Sequence, residues 1–121
     1  MNVGIVEQWK DFDKYKVSNY ENVVNSKTGR PIKPHLNDMG YPRVALYIDG
    51  KVKNYKIARL VADLFIPNPD NLPEVNHKDE NKLNSRVDNL EWCDRRYNVH
   101  YGTNLDRAMN KIVKRQGYNI L

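Results

Sequence analysis

The chain has 121 residues, 29% of them charged and 40% hydrophobic, with a mean hydropathy of −0.82; that is room for one compact domain or two very small modules sharing a core. Twenty Lys and Arg against fifteen Asp and Glu leave a formal charge of +5 and a pI of about 9.3, which suits a polyanionic partner without demonstrating one. A single cysteine, Cys93, excludes an internal disulfide framework and a cysteine-rich zinc knuckle; with no apolar run near the roughly 20 residues that cross a bilayer and no secretion signal in the first ten residues, the expectation is a cytoplasmic protein with no membrane contact.

The first stretch alternates aromatic and polar residues through Trp9, Phe12, Tyr15, Val17 and Tyr20, and reads as short strands. Asn19 and residues 25–29 supply turn chemistry, with Thr28-Gly29 a tight reversal. A hairpin follows. Val44, Leu46 and Ile48 fall on one face of a strand over 43–48, and Asp49-Gly50 is the pair that a type I′ turn favours before a returning strand over 51–55. The period then changes: Ile57, Leu60, Val61, Leu64 and Phe65 are spaced as one face of a helix, which Pro67 and Pro69 stop. Residues 74–78 predict a strand, 79–86 a polar loop, 87–93 a second strand with Leu90 and Trp92 on one side, and 95–101 a helix ending at Gly102. Thr103 is placed to cap a final helix, apolar along Leu105, Ala108, Met109 and Ile112 and cationic along Arg107, Lys111, Lys114 and Arg115.

The chemistry concentrates in Asn76-His77, Asn89 and Asn98. A strand, a loop, a second strand and a helix bring Asn76, His77 and Asn98 near one another, although neighbours on a strand point to opposite faces. Amide oxygens with phosphate oxygens and water suit Mg²⁺ or Mn²⁺ better than zinc. A histidine titrating near about 6.5 takes a proton from water at neutral pH. Asn81, Asn84 and Ser85 read as ordinary loop residues, Asp79 as a turn residue and Glu91 as the partner of a basic side chain.

The string VNHKDENKLNSRVDNLEW followed by YNVH resembles the signature of the HNH homing endonucleases of phages and introns. EQWKDFDKYKVSNYENVVNSKTG resembles the module, opening on Trp-Lys-Asp, that often precedes HNH, and ARLVADLFIPNP resembles the connecting helix and Pro-rich linker. The resemblance runs from about Glu7 to Tyr101. It implies an α+β fold: a small N-terminal antiparallel sheet and hairpin module (1–56), a ββα-metal (His-Me finger) nuclease domain (57–102) and a basic C-terminal helix (103–121). It also implies hydrolysis of double-stranded DNA with one divalent ion, Mg²⁺ or Mn²⁺.

On that pattern His77 resembles the base, Asn89 the residue that pins the loop and orients it, and Asn76 and Asn98 the metal ligands. Relatives often carry Asp at the first ligand position and His at the last, so this is an H-N-N variant with weaker ion binding; His100 lies off the ligand spacing. DNA contacts are expected from Lys51, Lys53, Lys56 and Arg59 along the hairpin and helix start, with Arg43, Tyr47 and Lys53 sharing a face in the major groove. Lys78, Lys82, Arg86, Arg95 and Arg96 surround the site, and Arg107 and Lys111 extend the cationic surface. The chain stops at Leu121 without the longer reader of its look-alikes, so specificity is expected to be modest, or supplied by a partner or a homodimer. A phage or mobile-element origin follows from the resemblance. The alternatives are a non-catalytic DNA-binding protein on a decayed HNH scaffold, or an interaction protein for acidic protein surfaces.

Overall fold

The structure, a computed structural model, describes residues 6–101. The helix expected over 103–121, with Arg107 and Lys111, lies outside the described residues.

Alternating aromatic and polar residues form the first sheet. β1 (Trp9–Phe12), β2 (Tyr15–Ser18) and β3 (Val23–Asn25) are antiparallel in the order β1-β2-β3. Tyr15 and Val17 point inward from β2. Tyr20 falls in the turn after β2, and Gly29 takes φ +73° where its N–H closes on the Asn25 carbonyl at 2.8 Å.

A short β4 (His35–Leu36), which no sequence signal marked, adds to the hairpin of β5 (Pro42–Ile48) and β6 (Lys51–Lys56). Asp49 at φ +53° and Gly50 at φ +77° match the two left-handed positions of the type I′ turn. The register corrects one expectation. Cross-strand partners share a face, and Lys53 pairs with Leu46 while Arg43 pairs with Lys56 and Tyr47 with Val52. Lys53 therefore does not share a face with Arg43 and Tyr47; Lys51 and Lys53 lie with the inward row Val44, Leu46 and Ile48 yet stay exposed, and Lys56 takes the outer face.

Helix α1 (Ile57–Phe65) buries Ile57, Ala58, Leu60, Val61 and Ala62. Ile57, Ala58, Leu60 and Val61 join Tyr15, Val17 and Val23 of the first sheet, Val44, Leu46 and Ile48 of the second, and Leu90 of the last in one apolar cluster. Full burial of a side chain such as Leu46 or Val61 stabilises by about 1.5–3 kcal/mol. The N-terminal module and the HNH-like part thus share a core.

The last unit is β7 (Glu74–His77), antiparallel to β8 (Leu90–Cys93), with α2 (Arg95–His100) packed on β7. The strand expected over 87–93 begins only at Leu90, because residues 87–89 form a 3-10 turn whose exit N–H bonds the Val87 carbonyl. Asp94 caps α2 by accepting from the Tyr97 N–H at 2.7 Å. Trp92 Nε1–H donates to the Ile66 carbonyl at 3.0 Å, fastening β8 to the end of α1. No helix among the described residues is long and apolar enough to cross a membrane.

Candidate active site

The register of β7 on β8 sets Asn76 opposite Glu91, so their side chains meet on one face: Asn76 Nδ2 donates to Glu91 Oε2 at 2.8 Å. Tyr97 donates its hydroxyl to the same carboxylate at 3.3 Å. These two bonds of Glu91 run to an amide and a phenol. Glu74 shares that face of β7 and accepts from Asn98 Nδ2 of α2 at 2.9 Å. Each asparagine thus directs its N–H₂ at a carboxylate, and its carbonyl oxygen, the atom a hard cation binds, is the end left over.

His77 lies on the other face at the end of β7. It is 6% exposed, its Nε2 is 3.3 Å from Ser85 Oγ, and its ring sits 5.8 Å from the Tyr41 ring at 37°. The second ring nitrogen has no protein partner among the described residues. Burial holds the imidazole below the ordinary histidine value; Asp79 opposes this, while the cations of Lys56 and Lys82 push the same way as burial. Both lysines also lie over the Tyr41 ring, at 4.6 and 4.9 Å. Asn76, His77 and Asn98 come together with Tyr41, Glu80, Lys82 and Tyr101 around a cleft of about 260 Å³. Among the described residues no cluster of three or more His, Cys, Asp and Glu forms a metal site; the oxygen and nitrogen donors lining this cleft are the amides of Asn76 and Asn98, the His77 imidazole, the Glu80 carboxylate and the Tyr41 and Tyr101 phenols.

Asn89, 8% exposed, spans the loop between β7 and β8. Its Oδ1 accepts from the Asp79 N–H at 3.0 Å, and its Nδ2 donates to Asp79 Oδ1 at 2.9 Å and to the Asn84 carbonyl at 2.8 Å. Its own carbonyl accepts from the Lys78 N–H at 2.8 Å, and the Glu80 N–H closes on the His77 carbonyl at 2.9 Å. Hydrogen bonds from the Asn84 side chain, the Asn81 N–H and Asn89 hold the Asp79 carboxyl below the usual range.

The basic residues divide into two groups. Lys82 lines the cleft and Lys56 the adjoining one that His77 and Asn98 also line; Lys78, Arg95 and Arg96 are exposed on the same unit, and Lys51 and Lys53 along the hairpin. Arg59 and Arg86 have partners inside the fold. Arg59 donates to the Pro73 carbonyl at 2.7 Å, pairs with Asp63 and lies over Trp92; Arg86 lies 4.5 Å over the Tyr20 ring and 3.7 Å from Asp88. Arg43 Nε donates to His35 Nε2 at 2.9 Å.

Ser85 is the residue sequence reasoning missed: read as a loop residue, it is fully buried against the imidazole. Asn84-Ser85 carries a turn signal and no signal of burial. Tyr41, whose ring is tilted toward His77 from the segment just before β5, and Glu74, bonded to Asn98, were likewise not singled out; neither carries a local motif that marks it.

A family model described as the NUMOD4 motif matches residues 7–47. DNA endonuclease I-HmuI of Bacillus phage SP01 is 36% identical over 113 residues, covering 90% of this chain and 64% of that protein. H-N-H endonuclease F-TflII of Escherichia phage T5 is 38% identical over 82 residues, 66% of this chain and 42% of that one. In the solved structure on DNA binding and cleavage by the HNH homing endonuclease I-HmuI, a chain 34% identical superposes with a TM-score of 0.70, over 88% of this chain and 66% of its own length. The chain belongs to the HNH homing endonuclease family. It spans 34% of the length of an uncharacterized HNH endonuclease of Acanthamoeba polyphaga mimivirus and 64% of I-HmuI. Within the HNH part, the residues facing the cleft come from β7, the following loop, α2 and Tyr101 just after it, and Tyr41 reaches it from the segment that the NUMOD4 model matches; Lys56 of the hairpin lines the adjoining cavity with His77 and Asn98.

Proposed function

We propose that this chain is an HNH endonuclease that hydrolyses phosphodiester bonds of double-stranded DNA with one divalent ion, Mg²⁺ or Mn²⁺, and with His77 as general base. The observation that carries the reading is the meeting of a buried imidazole, whose burial favours the neutral ring and which has one nitrogen without a partner among the described residues, with two asparagine side chains whose N–H₂ groups are turned to carboxylates, leaving the carbonyl oxygens for a cation. The amide oxygens of Asn76 and Asn98 fit a hard cation. When bound there, such an ion supplies charge neutralisation at the scissile phosphate and the leaving oxygen.

The remaining steps belong to this chain's own groups. His77 takes a proton from water at its unpartnered nitrogen as that water attacks phosphorus, which requires the neutral ring that burial, Lys56 and Lys82 favour. Asn89 orients His77 by holding the loop that follows it to β8. Lys56 and Lys82 beside the cleft, with Lys78, Arg95 and Arg96 around it, hold the flanking phosphates. Lys51, Lys53 and Arg43 extend that surface along the hairpin, while Arg59 and Arg86 act first within the fold.

Conversion of supercoiled plasmid, with Mg²⁺ or Mn²⁺ against EDTA, tests the reading. Nicking that needs metal and is lost in His77→Ala with DNA binding kept is the expected result. Binding with no metal-dependent cleavage, on DNA carrying the target of a close relative, favours a non-catalytic scaffold instead.

A further inference from the structure

The loop that carries Ser85 is fastened to the N-terminal module rather than to its own strands alone. The Val87 N–H donates to the Asn19 carbonyl at 3.0 Å, the Ser85 N–H donates to Glu21 Oε1 at 3.2 Å, and the Arg86 guanidinium lies 4.5 Å over the Tyr20 ring. These partners are the turn between β2 and β3. That turn is itself held: Ser18 Oγ accepts from the Tyr20 and Asn22 N–H groups at 3.0 and 3.2 Å, and the Glu21 N–H closes on the Ser18 carbonyl at 3.2 Å. Glu21 sits at φ +64°, a left-handed conformation that a non-glycine residue adopts at a cost. Burial raises its carboxyl above the usual range, while the Ser85 N–H and Arg86 act in the opposite direction. A strained, desolvated glutamate is thus aimed at the backbone of the residue whose hydroxyl touches the imidazole.

The geometry points to Glu21 and Ser85 as positioning residues for His77, through which the N-terminal module fixes the orientation of the base. This deepens the nuclease reading and rests on it. A neutral imidazole has one N–H and one lone pair. Nε2 faces Ser85, so the nitrogen left for water is Nδ1, and it accepts a proton only when Nε2 carries the hydrogen. Ser85 Oγ therefore accepts from Nε2–H, and continues to do so once the ring is protonated. Glu21 keeps the hydroxyl in place by holding the Ser85 backbone. The N-terminal module then has a task in the chemical step apart from any grip on DNA, and Glu21 touches neither substrate nor ion.

The test uses the full chain, free of metal and labelled with ¹⁵N, with His77 assigned by difference from His77→Ala. Imidazole ¹⁵N shifts report the tautomer, and plasmid nicking under metal gives kcat and KM. The expected spectrum shows His77 protonated on Nε2. Ser85→Ala and Glu21→Ala move it toward a mixture of tautomers and lower kcat by about three- to tenfold with KM unchanged, the size of one hydrogen bond; Ser85→Thr, which keeps the hydroxyl, restores both. A wild-type ring protonated on Nδ1 overturns the proposal whether or not the variants fold. So does an unchanged spectrum and kcat in the folded variants. If His77→Ala nicks as fast as wild type, it is the base assignment that fails, and the tautomer result stands apart from it.

Discussion

Asn89→Ala removes a side chain whose bonds all end inside one loop. Two of them end on backbone groups, the Asp79 N–H at 3.0 Å and the Asn84 carbonyl at 2.8 Å. At about 1 kcal/mol for each, their loss destabilises the fold by about 2 kcal/mol. The third runs to the solvent-facing Asp79 carboxylate and adds nothing to that sum. A loss of this size lowers Tm by roughly 6–10 °C in a domain of this length. Because the same bonds fix the loop that leaves His77, the ring also loses its alignment, and a misplacement of order 1 Å costs about a hundredfold in rate. Thermal melts paired with nicking rates per folded molecule measure both effects at 25 °C, well below either transition. A variant as stable as wild type refutes the energetic argument. A destabilised variant that nicks at the wild-type rate refutes the role of Asn89 in orienting the base.

The lowered pKa of His77 has two consequences in pH. Nicking should rise as the ring loses its proton and level off below the ordinary histidine value, and Lys56→Gln or Lys82→Gln should move that rise to higher pH by removing a nearby cation, as a pH-rate profile would show. Below about pH 6.5 the unfolded chain binds a proton that folded His77 resists, so stability falls as pH falls through that window; urea midpoints at pH 5 and 7 check the sign, and equal midpoints for wild type and His77→Gln at both pH values would contradict it. Asn76→Asp sets a second carboxylate against Glu91 in place of the 2.8 Å amide contact; Tm should fall without metal and be restored by Mn²⁺ more than in wild type. Cys93 is buried and its thiol is pushed up to about 12, first by burial and then by nearby carboxylates, so thiol reagents should label it at neutral pH only on unfolding.

Much of the fold was legible because hydrophobic period changes where the structure changes. Val44, Leu46 and Ile48 alternate and Asp49-Gly50 closes the hairpin; Ile57, Leu60 and Val61 switch to helical spacing and form α1. The 3-10 turn at 87–89 was not legible because Val87 is a β-branched residue that suits a strand start; that it falls out of phase with Leu90 and Trp92 was the one sign of a break before β8. The face of Lys53 was legible and misread: a two-residue turn at Asp49-Gly50 sets Ile48 opposite Lys51 and Leu46 opposite Lys53, which places Lys53 on the face opposite to Arg43 and Tyr47. At the site, Asn76, His77, Asn89 and Asn98 were marked by a local motif, and the structure brings Asn76, His77 and Asn98 to one cleft with Asn89 in the adjoining loop. Ser85 and Glu21 were not marked, because the bond between them spans 64 positions of sequence and arises only when the modules share a core.

The central claim is that His77 takes the proton from the attacking water. Its most direct test is chemical rescue of His77→Gly, which opens space beside Tyr41 and Ser85 where the ring had stood. Single-turnover nicking should fall sharply in the variant and recover with added imidazole, in proportion to the neutral imidazole present. Nicking by His77→Gly at the wild-type rate with no imidazole would contradict the claim.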